Sequence, residues 1–434
     1  MKKIAFYTLG CKVNQADTAS METMFRSNGY TVVDFNGEAD IYVVNTCVVT
    51  NTGQRKSRQM INRAVRKNPT ALIVVTGCYP QTAAEEVKAI PGVDLIIGTQ
   101  DRADIVKLVE TAAVTQRVDT LDSVRKLSAN TEFEELAAGD VIDKTRAFLK
   151  IQEGCNQFCT YCIIPFARGP LRSRSLTSIK EEVAKLLATG YKEVVLIGIH
   201  LGCYGKEHEG KLTLFDAVTA ALSVPGLQRL RLGSLESVEV QPQLLELMAV
   251  DKRLCRQLHL PLQAGCDATL ARMHRPYDTQ RFASLLRDIR SSLPDIAITT
   301  DIIAGFPGET AAEFATTLAF AESCGFSKMH IFPYSKRQGT PAAQMPEQVP
   351  EAVKQQRCAA LAELDSVQHQ RFLERCVGSE AEVLFEQTTA DGYIEGLTSN
   401  YLRVYVQGPA ELCGQIRQVR LLRAETGLLL GELT

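Results

Sequence analysis

The sequence predicts an α/β protein in three parts: an N-terminal doubly wound parallel sheet, a central partial barrel of (β/α)6 type, and a small C-terminal β-barrel. Short apolar runs alternate with helix-forming segments near the start of the chain, as in parallel sheets covered on both faces. After a polar interruption the alternation resumes for six more units, as in β/α barrels. The end of the chain has short alternating strands separated by Gly and Asn, which is typical of a small β-barrel.

The N-terminal domain spans residues 1–112, and its strands are rich in Val and Ile, which favour extended backbone. Its predicted elements are Lys3–Leu9 (strand), Asn14–Ser27 (helix), Thr31–Asp34 (strand), Ile41–Asn45 (strand), Asn51–Lys67 (helix), Leu72–Thr76 (strand), Thr82–Ile90 (helix) and Asp94–Gly98 (strand). Residues 113–143 are polar and acidic, have no strong period, and are predicted to form a linker.

The central domain spans residues 144–371 and contains six apolar runs with helical segments between them. Its predicted strands are Arg146–Gln152, Glu193–Ile199, Arg229–Gly233, Gln257–Leu260, Ile296–Ile303 and Met329–Pro333. Glu351–Arg375 has the period and composition of one long helix. The C-terminal domain, residues 372–434, has predicted strands at Ala381–Phe385, Gly392–Leu397, Leu402–Val406 and Val419–Leu422.

Composition limits the possible functions of this chain. Its net charge of −2 argues against a general polyanion binder, so a nucleic acid would have to be held by local patches. The sequence contains no apolar run long enough to span a membrane, and its N-terminus is interpreted as a first strand rather than a signal peptide. We therefore expect a cytoplasmic protein, in which the 13 cysteines favour metal binding or catalysis over disulfides.

Three cysteines, Cys155, Cys159 and Cys162, stand within the stretch EGCNQFCTYC, directly after the first strand of the central domain. A closed zinc site usually needs four ligands in two pairs, and a redox pair of Cys159 and Cys162 would leave Cys155 unexplained. Three thiolates on a [4Fe–4S] cluster leave one iron open to another ligand. The pattern therefore favours an iron–sulfur site with an open position, with a zinc or incidental thiol loop as the alternative.

Three further cysteines occupy comparable places in the N-terminal domain. Cys11, Cys47 and Cys78 each lie just past the end of a predicted strand. Ligands of open α/β sheets bind at that edge, so the three thiols are expected to meet at one site. The alternative is that all three are buried packing residues.

The spacing Cys-x-x-x-Cys-x-x-Cys after a first barrel strand resembles the radical S-adenosylmethionine superfamily, and the longer stretch EGCNQFCTYCIIPFARG resembles its methylthiotransferase branch. The resemblance implies a [4Fe–4S] cluster on the catalytic Cys155, Cys159 and Cys162, with S-adenosylmethionine at the open iron. It implies a second, auxiliary [4Fe–4S] cluster on Cys11, Cys47 and Cys78, and a reductant such as flavodoxin or ferredoxin. It also implies that the C-terminal barrel is a TRAM domain that binds tRNA.

The stretch TLGCKVNQ around Cys11 resembles the branch that acts on N6-threonylcarbamoyladenosine. This implies methylthiolation of C2 of that nucleoside at position 37, in the anticodon stem-loop of tRNA. Two S-adenosylmethionine molecules are then used, one as methyl donor and one as source of the 5′-deoxyadenosyl radical. Two alternatives remain: a methylthiotransferase acting on isopentenyladenosine at the same position, and a non-enzymatic iron–sulfur protein that binds RNA.

Polar residues and glycines after the barrel strands are the predicted cofactor contacts. This set consists of Ser234, Glu236, Gln263, Gly305 in the stretch DIIAGFPGE, and Arg174 from the group Arg168, Arg172 and Arg174. By resemblance, the strand that bears Gly305 backs the adenine of S-adenosylmethionine. Gly198-Ile199-His200 departs from the Gly-Gly-Glu-like triplet of the superfamily, so no contact to the methionine amine is assigned there. His259 is expected to be a core or barrel-mouth residue.

Two basic groups are the predicted RNA contacts. The helix QRKSRQMINRAVRK contains bases but no acid, which suits phosphate contacts, although an exposed helix often carries such charge. In the C-terminal domain acids outnumber bases, so RNA would be held there by shape and a few arginines. The assigned residues are Arg55, Lys56, Arg58 and Arg63 in the helix, and Arg403 and Arg417 in the C-terminal domain.

Overall fold

The computed structural model describes residues 2–114, 120–139, 145–209 and 211–434, and the predicted three-part α/β architecture is confirmed. The N-terminal elements are β1 (Lys3–Thr8), α1 (Lys12–Ser27), β2 (Thr31–Val33), β3 (Ile41–Thr46), α2 (Asn51–Lys67), β4 (Leu72–Gly77), α3 (Cys78–Thr82), α4 (Ala84–Lys88), β5 (Leu95–Ile97), α5 (Ile105–Val114) and β6 (Leu121–Ser123).

The N-terminal sheet is parallel throughout, in the order β2-β1-β3-β4-β5-β6. Its central strands β3 and β4 are buried along their whole length, which explains their nearly continuous Val and Ile. The last strand, β6, lies inside the segment that was predicted to be a linker. It escaped prediction because it has only three residues and pairs with a strand on one side only.

The central domain consists of β7 (Arg146–Glu153), α6 (Ile164–Arg168), β8 (Arg172–Ser173), α7 (Leu176–Ala188), β9 (Glu193–Gly198), α8 (Leu214–Leu222), β10 (Arg229–Leu232), α9 (Pro242–Val250), β11 (Gln257–His259), α10 (Asp267–Arg272), α11 (Thr279–Ser292), β12 (Ala297–Ala304), α12 (Ala311–Cys324), β13 (Lys328–Pro333) and α13 (Glu351–Cys376). The six predicted strands are β7, β9, β10, β11, β12 and β13. They form two parallel sheets, β10-β9-β7 and β11-β12-β13, which a bridge between Ser234 and His259 joins into one curved wall. The short β8 adds an antiparallel edge to β7.

The C-terminal domain is a closed barrel of β14 (Glu380–Thr388), β15 (Tyr393–Thr398), β16 (Arg403–Gln407), β17 (Ile416–Glu425) and β18 (Leu428–Leu433). The sequence predicted four of these five strands and missed β18. β18 pairs with both β16 and β17, which closes the sheet on itself. Closure leaves no free edge strand.

The C-terminal barrel docks on the N-terminal end of the central barrel. Arg229 donates a hydrogen bond to the carbonyl of Leu397, and Arg231 donates one to the carbonyl of Ser399, each with a donor–acceptor distance of 2.9 Å. Both arginines belong to β10 and are almost wholly buried. Since the barrel strands are parallel, this contact lies at the end opposite the loops that follow the strands.

No helix among the described residues combines the length and the apolar composition that a membrane crossing would require.

Candidate active site

The cysteine loop of the central barrel begins where β7 ends. Gly154 has a φ of +77°, and the amide of Cys155 donates 3.0 Å to the carbonyl of Gly169, which fixes the start of the loop. Cys159 is buried, whereas Cys155 and Cys162 are partly exposed. Although Cys162 keeps some exposed surface, desolvation of its thiol, with the neighbouring Cys159 and Cys155 thiols adding to the effect, raises the pKa of Cys162 to about 12. The three thiols are therefore close enough to affect one another, and a bound metal would have to displace their protons.

Gly154 is expected to be essential for loading this loop. A Cβ on Gly154 would lie 1.8 Å from the carbonyl oxygen of Pro170, at a positive φ that L side chains rarely adopt. We expect Gly154→Ala to lose most of the iron bound by Cys155, Cys159 and Cys162, as measured by iron and sulfide content after reconstitution. Gly226→Ala is the control, because Gly226 has a φ of +89° but a Cβ there would meet no other atom within 4 Å. Equal iron content in both variants would contradict this expectation.

Two side chains from other barrel loops contact the cysteine loop. Arg275 donates hydrogen bonds to the Cys159 sulfur at 3.0 Å and to the Tyr161 hydroxyl at 3.3 Å. It also forms an ion pair with Glu236. His200 places its Nδ1 3.4 Å from the Cys155 sulfur. Hydrogen bonds to cluster-bearing sulfurs are among the factors that set cluster potentials. The two residues therefore orient the thiols and can adjust the electronic properties of a bound cluster.

The N-terminal cysteines meet at the carboxyl edge of the sheet, after β1, β3 and β4. A Cβ on Gly10, whose φ is +104°, would lie 3.1 Å from the Cys47 sulfur, so the loop bearing Cys11 runs directly against Cys47. Burial raises the pKa of Cys78 to about 11, with the Cys47 and Cys11 thiols adding to the rise and Arg168 opposing it. Cys78 and Cys47 are buried and Cys11 is exposed.

The helix α6 joins the two cysteine sets. It begins two residues after Cys162 and ends at Arg168, which is wholly buried and donates 3.3 Å to the Cys78 sulfur. Ile163 and Ala167 belong to the apolar core of the N-terminal domain. The interface between the two domains is therefore also the place where the two cysteine sets approach each other.

Both sets fit a multi-iron cluster better than a single ion. In the described part of the chain, only two groups of three or more His, Cys, Asp or Glu side chains have their ligand atoms within 4.8 Å of one another. They are His200, Cys203 and Glu239, and His259, Asp301 and His330, so neither contains any of the six cysteines. A tetrahedral zinc site with Zn–S bonds of about 2.3 Å requires sulfurs roughly 4 Å apart. The wider spacing of these thiols suits an iron–sulfur cluster that each set of three cysteines would hold.

The predicted cofactor contacts differ in their surroundings. Ser234 is exposed at the end of β10, and Glu236 reaches the cysteine loop through Arg275. Gln263 has a φ of +65°, and its carbonyl accepts 2.9 Å from the amide of Ile303. Gly305 has a φ of +75°, and a Cβ there would lie 2.4 Å from the side chain of Lys354. Packing against α13 is thus sufficient to explain the glycine at 305.

Arg174 requires a correction. The residue is buried, and its guanidinium donates to the carbonyls of Lys150 and Leu136 and to the Ser178 hydroxyl. It also lies over the ring of Phe133. Because these contacts occupy the guanidinium inside the protein, Arg174 is a structural residue and not a cofactor contact.

The predicted RNA contacts are exposed. Arg55 and Lys56 extend from α2 into solvent. Arg58 donates a hydrogen bond to the Tyr79 hydroxyl at 3.1 Å, and Arg63 donates one to the side-chain oxygen of Asn36 at 2.5 Å. In the C-terminal barrel, Arg403 pairs with Glu395 at 3.1 Å, and Arg417 donates to Gln415. Among these six residues of the described chain, Arg403 is the one that pairs with an acidic side chain. The positive charge of α2 is therefore less neutralised by neighbouring acids than that of the C-terminal barrel.

The sequence did not indicate that Arg275, Arg168 and Arg337 lie beside the cysteines. Arg337 is buried and donates hydrogen bonds to Asn51 at 2.8 Å and to Gln54 at 2.9 Å, at the start of α2. Its positive charge acts to lower the pKa of Cys47. Arg275 and Arg337 follow α10 and β13, far along the chain from the cysteines they approach. Their positions in loops that follow barrel elements were the only signal in the sequence.

Comparisons with known proteins agree with this arrangement. Residues 3–98 match the family described as "Uncharacterized protein family UPF0004", and residues 149–321 match the Radical SAM superfamily. The chain is 41% identical to the threonylcarbamoyladenosine tRNA methylthiotransferase MtaB of Bacillus subtilis, over 98% of this chain and 94% of that protein. It is 34% identical to the tRNA-2-methylthio-N(6)-dimethylallyladenosine synthase of Pelotomaculum thermopropionicum, over 100% of this chain and 98% of that protein.

The fold also resembles that of a solved structure. The radical S-adenosylmethionine methyltransferase TsrM of Kitasatospora setae superposes with a TM-score of 0.57 at 16% identity, over 91% of this chain and 81% of that one. This likeness concerns the fold alone.

Proposed function

The chain belongs to the family of radical S-adenosylmethionine tRNA methylthiotransferases, and on that premise we propose that its substrate is N6-threonylcarbamoyladenosine at position 37 of tRNA. The proposed reaction replaces the C2 hydrogen of this base with a methylthio group. One S-adenosylmethionine is the methyl donor, and a second is cleaved to the 5′-deoxyadenosyl radical. The name of the Bacillus subtilis relative and the stretch TLGCKVNQ around Cys11 support this substrate.

The observation that carries the proposal is the meeting of two three-cysteine sets at one domain interface, where Arg168 links α6 to Cys78. Methylthiolation needs one site that generates the radical to activate C2 and a second site that holds the sulfur. Both sites must reach the same nucleobase. When bound at Cys155, Cys159 and Cys162, a cluster with one open iron supplies the electron for cleavage of S-adenosylmethionine.

Side chains of the protein position the two cysteine sets. Arg275 is held by Glu236 and donates to the Cys159 sulfur, while His200 contacts the Cys155 sulfur. Arg168 donates to the Cys78 sulfur from a wholly buried position. These residues keep the loops fixed at the interface, so that little reorganisation is needed during the reaction.

We further propose how the partners approach. The exposed basic side chains of α2, in particular Arg55 and Lys56, lie near the N-terminal cysteines. They would contact phosphates of the anticodon stem-loop. An unpaired loop base can be turned out into the barrel mouth without breaking a helix. A reductant such as flavodoxin or ferredoxin would supply electrons, and the proposed location is the cytoplasm, where the tRNA is found.

The test is an anaerobic assay of the full-length protein reconstituted with iron and sulfide. It contains reductant, S-adenosylmethionine and tRNA that bears N6-threonylcarbamoyladenosine, and the digested nucleosides are analysed by mass spectrometry. We expect a mass gain of one methylthio group on that nucleoside. A gain only on tRNA that bears isopentenyladenosine (N6-dimethylallyladenosine) would instead assign the nucleoside in the name of the Pelotomaculum thermopropionicum relative. Formation of 5′-deoxyadenosine without either product would reject the proposed substrate, and its absence would favour a non-enzymatic iron–sulfur protein.

A further inference from the structure

The inner wall of the central barrel carries a polar group that is separate from both cysteine sets. His259, Asp301 and His330 lie on the neighbouring strands β11, β12 and β13, and one nitrogen or carboxylate oxygen of each lies within 4.8 Å of the others. Asp301 is paired in register with His330, and His259 with Thr299. We call these three residues the lumen triad.

The lumen triad faces the inside of the barrel. The residues next to its members, including Leu258, Ile302 and Met329, belong to the apolar core that the strands share with the surrounding helices. Successive side chains of a strand point to opposite faces of the sheet. The triad must therefore lie on the concave face, away from the helices.

The triad is oriented yet open to a ligand. His259 is held by Thr299, whose Oγ1 lies 2.8 Å from Nδ1, and its Nε2 is 3.3 Å from Oδ1 of Asp301. The imidazole rings of His259 and His330 are 5.6 Å apart between centroids. His259 is 18% exposed and Asp301 29% exposed, and His330 is exposed as well. Each of the three side chains therefore has exposed surface that a ligand inside the barrel could contact.

An apolar rim lies above the triad, nearer the cysteine loop. Ile303 and Phe332 follow Asp301 and His330 by two residues and therefore share their face of the sheet. Phe332 is 45% exposed, so its ring is available to stack against a base. Two residues of strand correspond to about 7 Å, so a purine at the rim would place a substituent of moderate length beside the triad.

We propose that the lumen triad binds the N6 arm of the substrate base and so selects a polar, carboxylate-bearing arm over an apolar one. This inference rests on the proposed function. The threonylcarbamoyl arm offers a urea, a hydroxyl and a carboxylate. An imidazole N–H of His330 donates to the carboxylate, and Asp301, which His259 orients, accepts from the urea N–H or the hydroxyl. An apolar arm would leave these groups without partners in a confined space, which is the strongest basis for rejecting an analogue.

The test compares binding and turnover of two anticodon stem-loops, one with N6-threonylcarbamoyladenosine and one with unmodified adenosine. The proteins are the reconstituted full-length wild type, His330→Phe, His330→Gln as the variant that keeps an N–H donor, and His208→Phe as a control at another exposed histidine. Wild type is expected to prefer the modified stem-loop by about tenfold or more in Kd and in kcat/KM, as loss of a hydrogen bond to a charged group implies. His330→Phe should lose most of that preference while keeping its affinity for unmodified RNA, and His330→Gln should retain part of it.

The experiment distinguishes a failure of the proposed function from a failure of the role proposed for the lumen triad. If wild type forms no methylthio product on the modified tRNA, the proposed function fails. If wild type forms the product and His330→Phe keeps the full preference, or weakens binding of both stem-loops equally, the lumen triad does not select the arm. Two histidines and one carboxylate also suit a divalent metal, so the proteins are titrated with Zn²⁺ as well. Stoichiometric binding that is lost only in the His330 variants would assign a metal site and overturn the proposal.

Discussion

Replacing Cys159 by Ala is expected to abolish formation of 5′-deoxyadenosine from S-adenosylmethionine, down to the level of a protein-free reaction. Cys159 is the buried member of the barrel cysteine set and receives the hydrogen bond of Arg275 at 3.0 Å. With only two thiols left, the loop could not hold a cluster with three protein ligands and one open iron. The measurement is anaerobic, with reductant present, and quantifies 5′-deoxyadenosine by mass spectrometry.

A matched pair of variants separates this effect from general damage to the protein. Cys78→Ala removes a thiol of the N-terminal set and is expected to keep 5′-deoxyadenosine formation while losing the methylthio product. Cys413→Ala, in the C-terminal barrel, changes a partly buried cysteine outside both sets and is expected to keep both products. Survival of 5′-deoxyadenosine formation in Cys159→Ala would refute the assignment of the radical site.

Replacing Arg168 by Ala is expected to lower the free energy of unfolding by about 3–5 kcal/mol, because it leaves buried carboxylates with too few partners. Arg168 lies 3.2 Å from Asp17 and 2.9 Å from Glu153, and all three are almost fully buried. Asp17 also pairs with Lys150 at 2.6 Å and with Arg102. The network joins α1 of the N-terminal domain to β7 and α6 of the barrel, so its loss weakens the interface that carries both cysteine sets.

The control for Arg168→Ala is Arg423→Ala, which removes an exposed Arg–Glu ion pair in the C-terminal barrel. An exposed pair contributes about 0–1 kcal/mol, so this variant should unfold close to wild type in urea and on heating. Arg168→Ala should also lower the iron content of the N-terminal set, since Cys78 loses its hydrogen-bond donor. Equal stability of the two variants would show that the buried network contributes no net stability to the interface.

The same network predicts a loss of stability in acid. Burial alone would raise the pKa of Asp17 and of Glu153, but the charges of Arg102, Lys150 and Arg168 outweigh it and hold both pKa values below their ordinary values of 3.8 and 4.5. A carboxyl whose pKa is lower when folded stabilises the protein above its ordinary pKa, and that contribution is lost as the pH falls through the folded value. Wild type should therefore lose stability steeply below about pH 4, and Arg168→Ala more gradually. Parallel pH profiles of unfolding free energy for the two proteins would contradict this expectation.

The sequence by itself predicted the longer strands and helices and the grouping of the cysteines into two sets of three. Periods of two and of 3.6 residues are local properties, so long strands and helices such as β4 and α2 could be predicted from neighbouring residues alone. The spacing of Cys155, Cys159 and Cys162 is local too, and the ends of parallel strands must meet at one edge of a sheet. The three N-terminal cysteines could therefore be grouped from the order of strands and helices along the chain.

Only the tertiary structure decided what each charged or polar side chain contacts. Arg168 and Arg174 stand six residues apart in one basic stretch, yet the first donates to Cys78 and the second joins interior carbonyls. The lumen triad brings together residues of three strands, and β18 completes a barrel through two long-range pairings. Such contacts depend on strand register and on the packing of distant segments, and a residue type has the same appearance in the sequence whether its partner is solvent, a carboxylate or a sulfur.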